Sequence, residues 1–179
     1  EVDGSEHVRF AIIGMGKLGA QELNYVSDVD LIYVVEPADM DTNGMALSRI
    51  GTKIATTLQR VCQSVIMGVA EPTLWQIDGG LRPEGKDGPL VRRLESHEAY
   101  YEQWAENWEF QALLKARPVA GDTDLGQAYM DMTRPFVWTA SKRDNFVYDC
   151  QQMRKRVEDL IPNPLKDREI KLGLSLIHI

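Results

Sequence analysis

Cysteine is scarce in this chain: Cys62 and Cys150 are the two among 179 residues, far apart and beside no other soft metal ligand. That spacing provides neither a disulfide framework nor a zinc pair, and both read as ordinary helix residues. Histidine is equally thin, and His7, His97 and His178 stand at no ligand spacing. No apolar run approaches the ~18 residues that a membrane helix needs, so no membrane span is expected. Basic residues are outnumbered, 20 against 27, for a net charge of −7 and a pI near 5.0. Broad nucleic-acid binding favours basic domains, so this balance argues against it, while it does not exclude local basic pockets. There is no internal repeat, no low-complexity tract and no visible signal peptide, although the start looks truncated. A cytoplasmic setting is the expectation. What is present is a hydrophobic fraction of 44%, enough for a core, on a length that fits one domain and the beginning of a second.

The richest segment runs from residue 9 to residue 36. RFAIIG (Arg9 to Gly14) is apolar and ends in a glycine ladder, GMGKLG. KLGAQELNY follows as a short helix or turn, and then SDVDLIYVV begins. LIYVV is β-branched and aromatic, which predicts a buried strand from Asp28 to Glu36, ended by Pro37. Side chains at i and i+2 of a strand share a face, so Asp28 and Asp30 project together at its start. Two carboxylates this close repel and call for a cation between them. Hard oxygen donors suit Mg²⁺, which takes one or two carboxylates and completes its shell with water and substrate phosphate. Upstream glycines let a backbone approach a phosphate closely.

An acidic D-x-D at a strand start also occurs on plain surfaces, so further donors matter. LWQIDGGLR (Leu74 to Arg82) alternates like a strand and carries Asp78. RPEGKDGPLV follows with Arg82, Lys86, Gly85 and Gly88. A carboxylate triad with a glycine-rich basic loop is the set that nucleotidyl transfer needs, because metals clamp the attacking and leaving oxygens and cations neutralise phosphates. Arg82 and Lys86 weigh towards function over surface charge because they flank the triad strand. Glu84 reads as a solvated loop residue.

Further along, Leu47, Ile50, Ile54, Leu58, Val61 and Val65 make an apolar stripe, predicting a helix from Met45 that ends by Gly68 and Pro72. TLWQIDGGL and GPLVRRL predict third and fourth strands. A long helix is predicted from Ser96 to Arg117, with Tyr101, Trp104, Ala105, Trp108 and Ala112 on one face and Pro118 as its stop. Trp104 and Trp108 read as core residues more than as a base-stacking platform. Glu109 fits a salt bridge on the helix surface as well as an arginine partner near the site. Lys115 and Arg117 fit phosphate binding and helix-dipole compensation equally. GDTDLG caps a helix from Gly126 to about Val137. Asp144 caps another, with Phe146, Val147, Cys150, Met153 and Val157 facing inward. The fold class expected is α+β, a small mixed sheet with flanking helices followed by a helical segment. The organisation expected is a catalytic domain over residues 1–122 and the start of a helical domain over 123–173, with 174–179 expected to be a non-native tail.

The strings GMGKLG-x-x-ELNY-x-SD-x-DLI, WQIDGGLRPEGKDGPLV and YYEQWAENWEFQALLKARPVAGD, in that order, resemble the bifunctional glutamine synthetase adenylyltransferase/adenylyl-removing enzymes. The resemblance runs from Arg9 to about Gly173 and implies a polymerase-β-like nucleotidyltransferase fold. That family carries two such domains. The N-terminal one removes AMP from a tyrosine of glutamine synthetase by phosphorolysis, giving ADP, and the C-terminal one adds AMP from ATP. ELNY before SD, LLKARPVAGD and the closing REIKLG resemble the N-terminal, removing half. The adenylyl-adding half, a non-catalytic nucleotide-sensing module and a small-substrate nucleotidyltransferase are the alternatives.

The resemblance implies Asp28, Asp30 and Asp78 as catalytic metal ligands on a two-metal Mg²⁺ site, with Asp78 a ligand or the base that activates the nucleophile. It implies Gly14, Gly16, Lys17, Gly19 and Ser27 around the phosphate, and Arg82 and Lys86, with Lys115 and Arg117, on phosphate or nucleotide oxygens. ATP or ADP and orthophosphate are the implied substrates or products. Glutamine synthetase and a nitrogen-signalling regulatory protein are the implied partners, with no nucleic acid and no membrane. Two departures stand out. The first strand ends Gly14-Met15-Gly16-Lys17 with no Gly-Ser, and Ala20 replaces a glycine, which is tolerable where φ is negative. The last six residues, LSLIHI, do not continue the family pattern.

Overall fold

Alternation decides which way each strand residue faces, and the two central strands divide accordingly. In the computed structural model, which describes residues 2–25, 27–39, 44–64 and 73–159, β1 is Val8–Gly14 and β2 is Val29–Pro37. They pair antiparallel, with Gly14 opposite Leu31 and Ile13 opposite Ile32. Ala11, Ile13, Ile32 and Val34 fill one core, while Val29, Leu31, Tyr33 and Val35 fill another on the opposite face. Residues of a strand buried on both faces lose their polar alternation, which is why LIYVV reads as a continuous apolar run.

The second core is covered by α2 (Gly44–Gln63) through Leu47, Ala55 and Cys62. Gly51 is the point of closest approach, since a Cβ there would lie 3.1 Å from Val91 and 3.3 Å from Val35. The predicted stripe is therefore real but shifted, and Val61 is exposed. The helix ends within the described residues at Gln63; the predicted continuation over residues 65–68 and its stop at Pro72 lie outside them.

The sheet continues with two short strands, both parallel to β2: β3 (Ile77–Asp78) and β4 (Val91–Arg92). A fifth strand, β5 (Arg117–Gly121), closes the other edge against β1, giving the order β3-β2-β1-β5 with β4 also on β2. Among the described residues the result is a small mixed sheet of five strands with flanking helices.

The predicted single helix from Ser96 to Arg117 is corrected by the structure to two helices and a strand. α3 (Leu94–Gln103) stops at Trp104, and α4 (Asn107–Leu113) restarts behind a capping box in which Glu106 and Glu109 each accept the other's backbone N–H. Reciprocal capping satisfies donors that a helix start leaves orphaned. The break turns Trp104 outward, 73% exposed against the expectation of a core residue, while Tyr101, Ala105 and Phe110 stay buried. Glu109 makes neither expected ion pair; it is 7% exposed, caps α4 and accepts a hydrogen bond from Tyr100. Pro118, expected only as a helix stop, sits inside β5, which an edge strand tolerates because one side of its ladder is unused.

Asp122 caps α5 (Thr123–Ala140) by accepting the Leu125 N–H at 2.8 Å. Leu125, Tyr129 and Thr133 are buried, and Leu125 and Tyr129 join the first core with Ala11 and Ile13, so the expected boundary at residue 122 falls between two elements that share one core. α6 (Phe146–Asp159) lies on α4 and has no fully buried residue. Val147, expected to face inward, is 66% exposed. The expected features beyond Asp159, including the tail 174–179, lie outside the described residues.

Candidate functional site

Parallel pairing sets two of the three predicted carboxylates, Asp30 and Asp78, side by side at one end of the sheet, while Asp28 lies just ahead of β2. Val29 pairs with Ile77 and Asp30 with Asp78. Val29 and Ile77 belong to the core under α2, so Asp30 and Asp78 project from the opposite face. Adjacent strands lie about 4.8 Å apart, which makes this a side-by-side carboxylate pair. Both are half-buried, and Asp28, one pleat earlier, is exposed. Asp78 is oriented by a tight turn: Gly80 donates its backbone N–H to Asp78 Oδ1 at 2.7 Å.

The glycine ladder meets the same edge. Met15 N–H donates to the Asp30 carbonyl at 2.9 Å. Gly16 has φ +52, and a Cβ there would stand 2.8 Å from Asp30 Oδ2, so only glycine lets the chain pass beside that carboxylate. α1 (Gly16–Gly19) then turns away, with Lys17 half-buried on its first turn. Gly19 answers a packing demand: a Cβ would lie 1.8 Å from the Lys115 carbonyl oxygen and 2.5 Å from that of Gly14. Gly14 closes β1 opposite Leu31 and Arg117. Ala20 has φ −76, so its methyl group is accommodated, and the left-handed residue is Gln21 at φ +62. Ser27 is half-buried immediately before Asp28.

Three of the basic candidates, Arg82, Lys115 and Arg117, are already engaged. Arg82 donates Nη1–H to the Gly79 carbonyl (2.7 Å), Nη2–H to those of Lys86 (3.1 Å) and Gly88 (3.2 Å), and Nε–H to Gly88 (3.3 Å). It spans the loop it belongs to. Lys86 is exposed on a one-turn 3-10 helix, Gly85–Asp87. Lys115 pairs with Glu22 at 2.8 Å, and Arg117 donates to the carbonyls of Gly19 (3.0 Å) and Leu18 (3.2 Å), holding the end of α1.

Behind the loop lies a polar seam that sequence reasoning missed. Arg92 pairs with Glu84, donates to Ser96 Oγ at 3.1 Å and lies 5.8 Å from the Tyr100 ring centroid. Tyr100 donates to Glu109 Oε1 at 3.0 Å. Burial holds the Glu109 carboxyl above its ordinary range, against the stabilising backbone N–H of Glu106 and the Tyr100 hydroxyl. Burial likewise raises Tyr100. The sequence signal for this seam was the Glu106/Glu109 spacing, a capping-box pattern at i, i+3.

Among the described residues, no three His, Cys, Asp or Glu side chains are grouped closely enough to hold an ion. The expected triad is thus present at one edge without being assembled as a three-ligand cluster. The Asp30–Asp78 pair by itself fits Mg²⁺, which binds through one or two carboxylates.

A sequence profile described as glutamate-ammonia ligase adenylyltransferase matches residues 1–132. The chain belongs to the glutamate-ammonia ligase adenylyltransferase family. Relatives named bifunctional glutamine synthetase adenylyltransferase/adenylyl-removing enzyme include one from Bifidobacterium longum strain DJO10A, 84% identical over 97% of this chain. Others are from Cutibacterium acnes, 54% identical over 92%, and Streptomyces avermitilis, 53% identical over 96%. The chain spans about a sixth of the length of these relatives, 16%, 16% and 17% respectively. The mixed sheet with flanking helices agrees with the nucleotidyltransferase fold that the motifs implied. No helix among the described residues is long and apolar enough to cross a membrane.

Proposed function

We propose that this chain carries a nucleotidyltransferase site acting on glutamine synthetase, and that the reaction is removal of AMP from an adenylylated tyrosine. The observation that carries the nucleotidyltransferase site is the register pairing of Asp30 with Asp78, with Gly16 pressed against the Asp30 carboxylate, while the removing direction rests on the resemblance of ELNY before SD, LLKARPVAGD and REIKLG to the removing half. In this reaction an orthophosphate oxygen attacks the α-phosphorus, the bond from phosphorus to the tyrosine oxygen breaks, and ADP and a free tyrosine result. Mg²⁺, when bound, supplies Lewis-acid stabilisation of the charge on the attacking and leaving oxygens. Asp30, with Asp28 beside it, would hold it, and Asp78 would be either a further ligand or the base that takes a proton from the incoming phosphate. Gly14, Gly16 and Gly19 shape the turn that borders this edge, and Lys17, Ser27 and Lys86 would meet phosphate oxygens. The leaving phenol has a pKa of about 10, so little acid catalysis is required. A nitrogen-signalling protein would be the regulatory partner.

The reading is tested by incubating the chain with Mg²⁺, adenylylated glutamine synthetase and labelled orthophosphate. Labelled ADP is the expected product. Transfer of label from α-labelled ATP to unmodified glutamine synthetase would instead assign the adding direction. Mg²⁺-dependent nucleotide binding with neither turnover would make the domain a nucleotide sensor and overturn the proposal.

A further inference from the structure

Arg82 is an expected phosphate ligand by motif, yet its guanidinium turns back into the loop from Gly79 to Gly88. Its shortest contact, 2.7 Å from Nη1, is with the Gly79 carbonyl oxygen, which the Arg82 backbone N–H also approaches at 3.2 Å. The Gly79 carbonyl and the Gly80 N–H belong to one planar peptide unit. That same N–H donates to Asp78 Oδ1 at 2.7 Å. One rigid plane therefore carries a cation on its oxygen and a carboxylate on its hydrogen. We propose that Arg82 is a positioning residue for Asp78, acting through the Gly79–Gly80 peptide and not through direct contact with phosphate. This rests on the proposed site only for its consequence in function; the linkage itself is a matter of loop geometry.

Four features make the arrangement built to shape. A cation on a carbonyl oxygen polarises the amide, and hydrogen bonds in series strengthen one another, so Gly80 becomes a better donor to Asp78. Gly79 and Gly80 leave the plane room: a Cβ at Gly79 would stand 3.0 Å from Arg82 Nη1, and one at Gly80 3.0 Å from Asp78 Oδ1. The far end of the loop is tethered as well, since Glu84, at φ 62, pairs with Arg92, which in turn donates to Ser96 and lies over the Tyr100 ring, both on α3. Arg82 also bridges the Lys86 and Gly88 carbonyls, a three-point clamp that a planar fork can make and an ammonium cannot reproduce.

The test uses amide NMR of the ligand-free chain, with Arg82→Lys and Arg82→Gln compared with the parent. The expected result is an upfield shift of the Gly80 amide proton and at least tenfold faster exchange at Gly80 in both variants. Lys86→Gln, which removes a charge from the same loop without touching the 79–80 peptide, should leave the Gly80 amide in place. A Gly80 amide unmoved by Arg82→Gln, or restored by Arg82→Lys, would overturn the proposal. A second readout is Mn²⁺ affinity without nucleotide, expected to fall severalfold in both Arg82 variants. Equal affinity in parent and variants would refute any effect of Arg82 on the carboxylate edge. Failure of the parent chain to bind Mn²⁺ at all would count against the proposed site, while leaving the amide result to decide the linkage.

Discussion

His97 offers the most quantitative check on the packing behind the site. It lies on α3 at 1% exposure, stacked on Tyr101 with ring centroids 6.1 Å apart and edge-on to Tyr129 at 5.2 Å. Burial, followed in weaker measure by the nearby Arg92, pushes its pKa from 6.5 down to about 3. The imidazole is thus neutral in the folded chain throughout the ordinary pH range. The unfolded chain binds a proton at His97 near pH 6.5 and the folded chain does not, so acidification favours unfolding. Stability from this group is fully present above pH 6.5 and falls as pH drops towards 3. One pKa unit is worth about 1.4 kcal/mol, so at pH 5, some 1.5 units below the unfolded value, the loss is about 2 kcal/mol. Glu109, whose pKa is raised by burial, takes up its proton earlier in the fold and opposes the trend, so 2 kcal/mol is an upper value. Urea unfolding at pH 7 and pH 5 measures the slope, and repeating it on His97→Gln isolates the residue. The variant should be less stable throughout but lose most of the slope between these pH values. A parent chain equally stable at both pH values, or a variant with an undiminished slope, would refute the reasoning.

Two further perturbations probe the elements that present the site. Gly19→Ala places a Cβ 1.8 Å from the Lys115 carbonyl oxygen, a backbone atom that cannot swing away. Overpacking costs typically 1–3 kcal/mol and this contact exceeds the usual case, so a loss of about 3 kcal/mol or more in chemical denaturation is expected, and a loss under about 1 would show that α1 is looser than described. Asp122→Ala removes the Arg9 partner at 2.8 Å and the α5 cap; Arg9 first, and the Leu125 N–H in smaller measure, hold the Asp122 carboxyl down at about 2. The cap is worth about 1 kcal/mol. The partly exposed ion pair adds under about 1. The Asp122 contribution is present above pH 3.8 and disappears as pH falls to 2, so parent and variant should converge in stability across that window.

Which parts of this fold were legible in the sequence follows from how locally each is determined. β1 and β2 declare themselves because both faces are buried and RFAIIG and LIYVV carry the apolar residues for both. Strand alternation brought Asp28, Asp30 and Asp78 forward as candidates, but the parallel register that sets Asp30 beside Asp78 joins segments nearly fifty residues apart and is not written in local pattern. β5 was missed because its ladder partner is β1, more than a hundred residues earlier, and a proline in RPVAG argued against a strand. The α3–α4 break was missed because Tyr101, Trp104, Ala105 and Trp108 keep helical spacing across a point where the backbone does not. Only the Glu106–Glu109 pair marks it, and that pattern also fits a helix surface. Cations were the least legible. Lys115, Arg117 and Arg82 look alike in sequence as phosphate ligands, yet each spends its charge on a partner that the tertiary fold supplies.

The most direct test of the account is phosphorolysis by carboxylate variants. The chain, Mg²⁺, orthophosphate and adenylylated glutamine synthetase are combined, and ADP release is followed for the parent, Asp30→Asn and Asp78→Asn, with circular dichroism confirming that each is folded. The account predicts phosphate-dependent ADP release by the parent and its loss, by a hundredfold or more, in both folded variants. Release undiminished in either variant would contradict the assignment of these two register-paired aspartates to the reaction.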